Sequence, residues 1–122
     1  MHFEQLREYC LSKMHAQETL PFDEFTLAFT IGGKIFALTS LDEPEVRINL
    51  KCDPDYAVEL REHHEFIIPG YHMNKKHWNT VFTEKISPDL LKKLIDLSYD
   101  LVMDGLPKNI KENLKNDQKK AI

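Results

Sequence analysis

Residues 46–52, VRINLKC, alternate without a break: Val46, Ile48, Leu50 and Cys52 are apolar, while Arg47, Asn49 and Lys51 are polar. Successive side chains of a strand point to opposite faces, so this run reads as a strand with one face on a core and one turned outward. Asp53-Pro54 follows at once. Asp is a good helix cap and Pro is tolerated at the first helical position, so a helix is expected from there to about His63. The strand therefore needs a sheet around it and a helical layer to cover its apolar face.

The rest of the chain supplies both. Phe3, Leu6, Cys10 and Met14 are spaced for one side of a helix over residues 3–14. Residues 15–23 break that pattern. Phe25, Leu27, Phe29 and Ile31 then alternate with Thr26, Ala28 and Thr30, Gly32-Gly33 supplies a turn, and residues 34–40 return as the second strand of a hairpin. Pro69-Gly70 marks another turn before a fourth strand over residues 77–84. Ser87-Pro88 repeats the cap-then-Pro start. Leu90, Leu91, Leu94, Ile95, Leu97, Leu101 and Val102 form a broad helical stripe that Gly105 and Pro107 bring to a stop. Mostly sequence-adjacent strands with helices before, between and after predict an α+β domain, an antiparallel sheet with the first and last helices on one face. A single domain is expected over residues 1–107, with residues 108–122 a Lys-rich, frayed tail.

At 122 residues the chain can bury a core without disulfides or metal. Cys10 and Cys52 share no metal-finger or redox spacing, and their apolar-side positions predict free, inert thiols in a cytoplasmic protein. No apolar run approaches the roughly 18 residues of a membrane span. The first ten residues, with acidic side chains where a basic region would stand, do not read as a signal peptide.

Charge narrows the partners. The net charge is −4, which argues against strong non-specific binding to nucleic acid. Five lysines against Glu112 and Asp117 give residues 108–122 a charge of +3 and leave −7 on the rest. A basic surface must then be a local patch on an acidic body.

Chemistry-bearing motifs are sparse. His63, His64, His72 and His77 lack zinc-ligand spacing, and a solvated or hydrogen-bonded role explains them better than a metal site. Glu4, Glu8, Asp23 and Glu24 are too scattered for a metal-binding acidic ridge. There is no nucleophile elbow, phosphate loop, dinucleotide fingerprint or paired-carboxylate signature, and Gly32-Gly33-Lys34 is explained by the hairpin turn. Neither catalysis nor a cofactor is expected.

What stands out is PGYHMNKKHWNTV, residues 69–81, which holds the only tryptophan of the chain. Tyr71 and Met73 are suited to packing the loop down, Asn74 to turning it, and Trp78 to a core with its N–H satisfied. Lys75, Lys76 and His77 are harder to explain structurally. Three consecutive donors beside a tryptophan suit phosphates or acidic side chains, with an aromatic ring to stack on.

That segment, with VRINLKCDP (residues 46–54) before it and LIDLSYDLV (residues 94–102) after it, resembles the MmcQ/YjbR family of small bacterial proteins. The resemblance extends from LREYCLSK (residues 6–13) through FALTSLDEP (residues 36–44) to the last long helix. It implies a frataxin-like (CyaY-like) architecture and the DNA binding usually ascribed to that family. On this reading Lys34, Arg47, Lys51, His72, Asn74, Lys75, Lys76, His77 and Trp78 form the binding surface, with hairpin wings flanking double-stranded DNA. The alternative is a protein-interaction adaptor that uses the exposed sheet face and the Trp78 loop, since Trp and Arg are favoured interface anchors.

Overall fold

The computed structural model describes residues 1–70 and 73–120 of the chain. Its elements are α1 (Phe3–Leu11), β1 (Gln17–Thr19), β2 (Thr26–Ile31), β3 (Lys34–Ser40), β4 (Arg47–Lys51), α2 (Pro54–His63), β5 (Ile67–Pro69), β6 (Trp78–Phe82), α3 (Pro88–Asp104) and α4 (Lys108–Lys120). The strands form one sheet in the order β1-β2-β3-β4-β6-β5, with every neighbouring pair antiparallel.

The alternation of residues 46–52 governs the register. Ile48 and Leu50 are buried, and cross-strand partners share a face. Leu27, Thr39, Ile48, Val81 and Ile67 therefore make one transverse row across five strands. Its apolar members share a core with Leu6 and Cys10 of α1, Ala57 and Leu60 of α2, and Leu91, Leu94 and Ile95 of α3. The three helices thus cover one face. On the other face runs a second row, Thr19, Ala28, Leu38, Asn49, Thr80 and Ile68. Ala28 and Leu38 are buried there too, outside the helical core.

The helix starts follow the expected chemistry. Asp53 accepts from the Tyr56 N–H at 3.2 Å, and Ser87 accepts from the Leu90 N–H at 3.2 Å, with Pro54 and Pro88 opening their helices. Buried polar groups tie α3 down. The Ser98 hydroxyl, fully buried, donates to the Phe36 carbonyl at 2.6 Å and accepts from the Lys51 N–H at 2.8 Å. Tyr9 of α1 donates to Asp96 at 2.7 Å, and Tyr99 donates to the Met14 carbonyl at 2.6 Å. Burial and the neighbouring Asp96 push the Tyr9 phenol up to about 12.

Several boundaries differ from the sequence reading. α1 stops at Leu11, where Ser12 takes the C-cap, and His15 turns the chain with a φ of 63°. Met14 consequently lies outside the helix and exposed. Two edge strands, β1 and β5, occupy stretches with no alternation. Leu101 is 39% exposed while Leu94 is 4% exposed, so the stripe on α3 is wider than the surface that reaches the core. Residues 108–120, expected to be frayed, form α4. Its Ile110 and Leu114 pack against the core four residues apart, on one face of the helix. Among the described residues no helix is long and apolar enough to cross a membrane.

Candidate nucleic-acid interface

The site begins with strand order. Because β6 pairs with β4, Trp78 lies directly opposite Lys51. That brings the segment of residues 73–78 against the outward face of β4, a juxtaposition set by long-range pairing. Asn74 builds the approach to β6: its carbonyl accepts from the His77 and Trp78 N–H groups at 3.1 and 2.9 Å, and its side-chain oxygen accepts from the Lys76 N–H at 3.0 Å. Asn74 is therefore occupied in shaping the turn. The His77 carbonyl accepts from the Cys52 N–H at 2.8 Å and continues the β4 pairing into the turn.

Gly70 allows the other side to close. Its N–H donates to the Trp78 carbonyl at 2.8 Å, and a Cβ there would sit 2.8 Å from the Trp78 Cβ and 2.9 Å from the Trp78 carbonyl oxygen. Only a residue without a side chain fits so near the tryptophan backbone. Trp78 itself is half-buried, between a core aromatic and a free surface ring.

Lys34, Lys51, Met73 and Trp78 line one groove of about 500 Å³ at the end of the sheet, facing Leu101 near the end of α3. Lys75 and Lys76 are exposed on the adjoining turn, and His77 is half-buried beside them. The start of α4 lies at the same end. A Cβ on Gly32, at the tip of the β2–β3 hairpin, would meet Leu106 at 2.8 Å and Ile110 at 3.0 Å, so the chain around Lys108 packs beside that tip.

Arg47 is elsewhere. It pairs with Phe82 at the opposite end of β4, about 13 Å from Lys51 at the usual rise per strand residue. Its guanidinium lies over the Phe82 ring, 4.8 Å from the centroid. The structure therefore gathers Lys34, Lys51 and Trp78, with Lys75, Lys76 and His77 alongside, and sets Arg47 apart. His72 lies outside the described residues.

Both cysteines are free and buried. Burial pushes the Cys10 thiol up to about 12 and the Cys52 thiol up to about 11, so both are protonated at neutral pH. Among the described residues no three His, Cys, Asp or Glu side chains gather as a metal cage would require.

The sequence matches the YjbR family model over residues 11–101. The chain belongs to the YjbR family. An uncharacterised protein of Escherichia coli O157:H7, YbdF, is 48% identical over 89 residues, 72% of this chain and 73% of its own length. YjbR of Escherichia coli K12, also described as uncharacterised, is 31% identical over 108 residues, covering 88% of this chain and 92% of that one. The crystal structure of Deinococcus radiodurans DR2400, assigned to domain family DUF419, superposes with a TM-score of 0.85 at 39% identity, over 92% of this chain and 86% of that one. The YjbR (DUF419) fold and the sheet built here are thus the same.

Sequence reasoning missed a second concavity of this YjbR-family fold, on the open face of the sheet. It measures about 480 Å³ and is lined by Phe22, Asp23, Leu38, Glu43, Arg47 and Met73, among others. One local signal pointed there. Asp23 precedes a strand and can turn the chain; it accepts from the Phe25 and Thr26 N–H groups at 2.9 and 2.7 Å, bonds that hold its carboxyl below the usual carboxylate range. That Leu38, Arg47 and Met73 would meet it depended on tertiary structure.

Proposed function

We propose that this YjbR-family protein binds double-stranded DNA without catalysing a reaction on it. The observation that carries the reading is the groove in which Lys34, Lys51 and Trp78, from three different strands, line one wall at the end of the sheet. Lys75 and Lys76 on its rim extend the positive charge. Lysines address phosphates without reading sequence, and the tryptophan ring offers a stacking surface or a support for the loop. The β2–β3 hairpin tip and the start of α4 flank the groove as the wings of the interface. An acidic body with one basic end predicts modest affinity and a preferred orientation on the duplex.

The test is fluorescence anisotropy with a labelled duplex over a range of salt. The double variant Lys75→Ala, Lys76→Ala should weaken binding to all sequences and lower the log–log salt slope by about 0.9 for each phosphate no longer neutralised. Absence of binding to any duplex at low salt, where phosphate attraction is strongest, refutes the reading.

A second reading, a protein-interaction adaptor using the open sheet face and the Trp78 loop, is favoured by one observation. Phe22, Phe25 and Leu41 are 68%, 45% and 46% exposed, and Phe25 and Leu41 are joined backbone to backbone at 2.6 Å. Clustered exposed apolar side chains mark interaction surfaces. Such a partner would bind with a weak salt dependence, which separates it from DNA in the same experiment.

A further inference from the structure

We propose that the open-face cavity around Arg47 is a binding site for a small carboxylic acid with an apolar body and a single negative charge. The proposal does not rest on DNA binding at the other end of the sheet.

Size is the first support. At about 480 Å³ the cavity falls within the range of small-molecule sites, on the order of 300–1,000 Å³. Its lining is of the corresponding kind. Leu38 forms a buried apolar floor, Phe22 and Met73 supply walls, and a few polar groups are set among them. Phe22 is 68% exposed, which leaves a large aromatic surface free to close over a bound body.

Arg47 decides the charge. Its Nε is buried and makes no hydrogen bond, although burying such a donor unpaired is costly. Asp23 and Glu43 line the same cavity, yet neither forms an ion pair with Arg47 among the described residues. Asp23 is turned to its own loop by the Phe25 and Thr26 N–H groups. The Phe82 ring, 4.8 Å from the guanidinium carbon, neighbours the group while supplying no conventional acceptor. The Nε itself is closed off, so a ligand meets the part of the guanidinium that lines the cavity, and a carboxylate is the acceptor that suits it.

Asp23 and Glu43 leave the lining with more negative than positive charge, so an anion is favoured only where its carboxylate sits directly on Arg47. Two carboxylates lining the cavity disfavour a second anionic group on the ligand and exclude a polyphosphate backbone. The floor adds a polar anchor, since Thr80 donates to the Asn49 side-chain oxygen at 2.5 Å and so orients the Asn49 amide. Both residues line the cavity.

The probe is 3-phenylpropanoate, titrated into the full chain while backbone amide shifts are followed, with 3-phenylpropanamide and phenylsuccinate as comparators. The acid should bind saturably and shift the amides of Leu38, Asn49 and Thr80. The amide, which has the same body and no charge, should bind about tenfold or more weakly. Phenylsuccinate, with its second carboxylate, should bind no more tightly than the acid. Arg47→Met, which keeps an unbranched apolar side chain and removes the charge, should weaken the acid to the level of the amide, and Lys51→Met should leave it unchanged. Equal binding of acid and amide, no saturable binding of the acid, or shifts confined to Lys34, Lys51 and Trp78 would each overturn the proposal. The ligand comparison needs no variant and so stands even if Arg47→Met is poorly folded.

Discussion

The two ends of the β4–β6 pair use the same local device and create different surfaces. At one end Lys51 faces Trp78, and at the other Arg47 faces Phe82, a cation opposite an aromatic in each case. Around Lys51 the neighbours are Lys34 and an open groove, with Lys75 and Lys76 on the adjoining turn. Around Arg47 the neighbours are Asp23 and Glu43, and the guanidinium lies over its aromatic partner with a buried, unpaired Nε. The first arrangement accumulates positive charge and suits a polyanion. The second holds one cation among acids and suits one acceptor. A cation–aromatic pair across a strand says little about its ligand until the residues beyond the pair are known.

The strongest way to break this comparison is to remove the core that both ends share. Leu94→Ala should cost about 2–5 kcal/mol, because Leu94 is 4% exposed within that core, and both ends should lose order together. Leu101→Ala should cost less than about 1 kcal/mol, since that side chain is half in solvent at the rim of the Lys51 groove. Chemical denaturation of the two variants checks the contrast. Similar losses would place Leu101 in the core.

A sharper cut separates the ends. Ser98→Ala removes the hydroxyl that accepts from the Lys51 N–H and donates to the Phe36 carbonyl, leaving two backbone groups unpaired for about 1–3 kcal/mol. Amide exchange at Lys51 should accelerate well beyond that at Arg47. Equal acceleration would mean that Ser98 supports the sheet as a whole.

Much of this frame was legible in the sequence, for physical reasons. β4 is read correctly because period-two alternation survives in a strand with one face on a core, and α2 and α3 because Asp53-Pro54 and Ser87-Pro88 state the cap and the first turn together. β1 and β5 escape because three-residue edge strands carry too few side chains to show a period. α4 escapes because its apolar contacts, Ile110 and Leu114, are diluted by lysine and asparagine, although their spacing of four is visible in retrospect. Of the site, the segment of residues 69–81 announces itself by composition. Its meeting with Lys51 does not, because β6 beside β4 is a long-range choice that no local pattern encodes. The separation of Arg47 from Lys51 was in principle readable, since four strand residues must span about 13 Å.

Acid should act at one end first. Backbone hydrogen bonds from Phe25 and Thr26 hold the Asp23 carboxyl below its ordinary value. Its folded-state pKa is depressed, so its contribution is present above the ordinary carboxylate pKa and disappears as pH falls through the lower folded value. The Phe25 and Thr26 amides should shift and exchange faster at that point, ahead of those of Lys51 and Trp78. Simultaneous loss would remove Asp23 as the local support.

The smallest effect belongs to the thiols. With Cys10 pushed up to about 12 and Cys52 to about 11, neither should react appreciably with a thiol reagent at neutral pH in the folded protein. Both should titrate after unfolding. A Cys10–Cys52 disulfide, or rapid labelling of Cys52 in the native state, would contradict their burial.

The central claim, that the Lys51 end and not the Arg47 end engages DNA, is tested most directly by salt-dependent duplex binding of two variants side by side. Lys34→Ala, Lys51→Ala should lower the log–log salt slope by about 0.9 for each phosphate no longer neutralised, up to about 2 for the pair. Arg47→Met should leave the slope unchanged. An unchanged slope for the lysine pair, or an equal fall for Arg47→Met, would contradict the division of the sheet into a polyanion-binding end and a single-acceptor end.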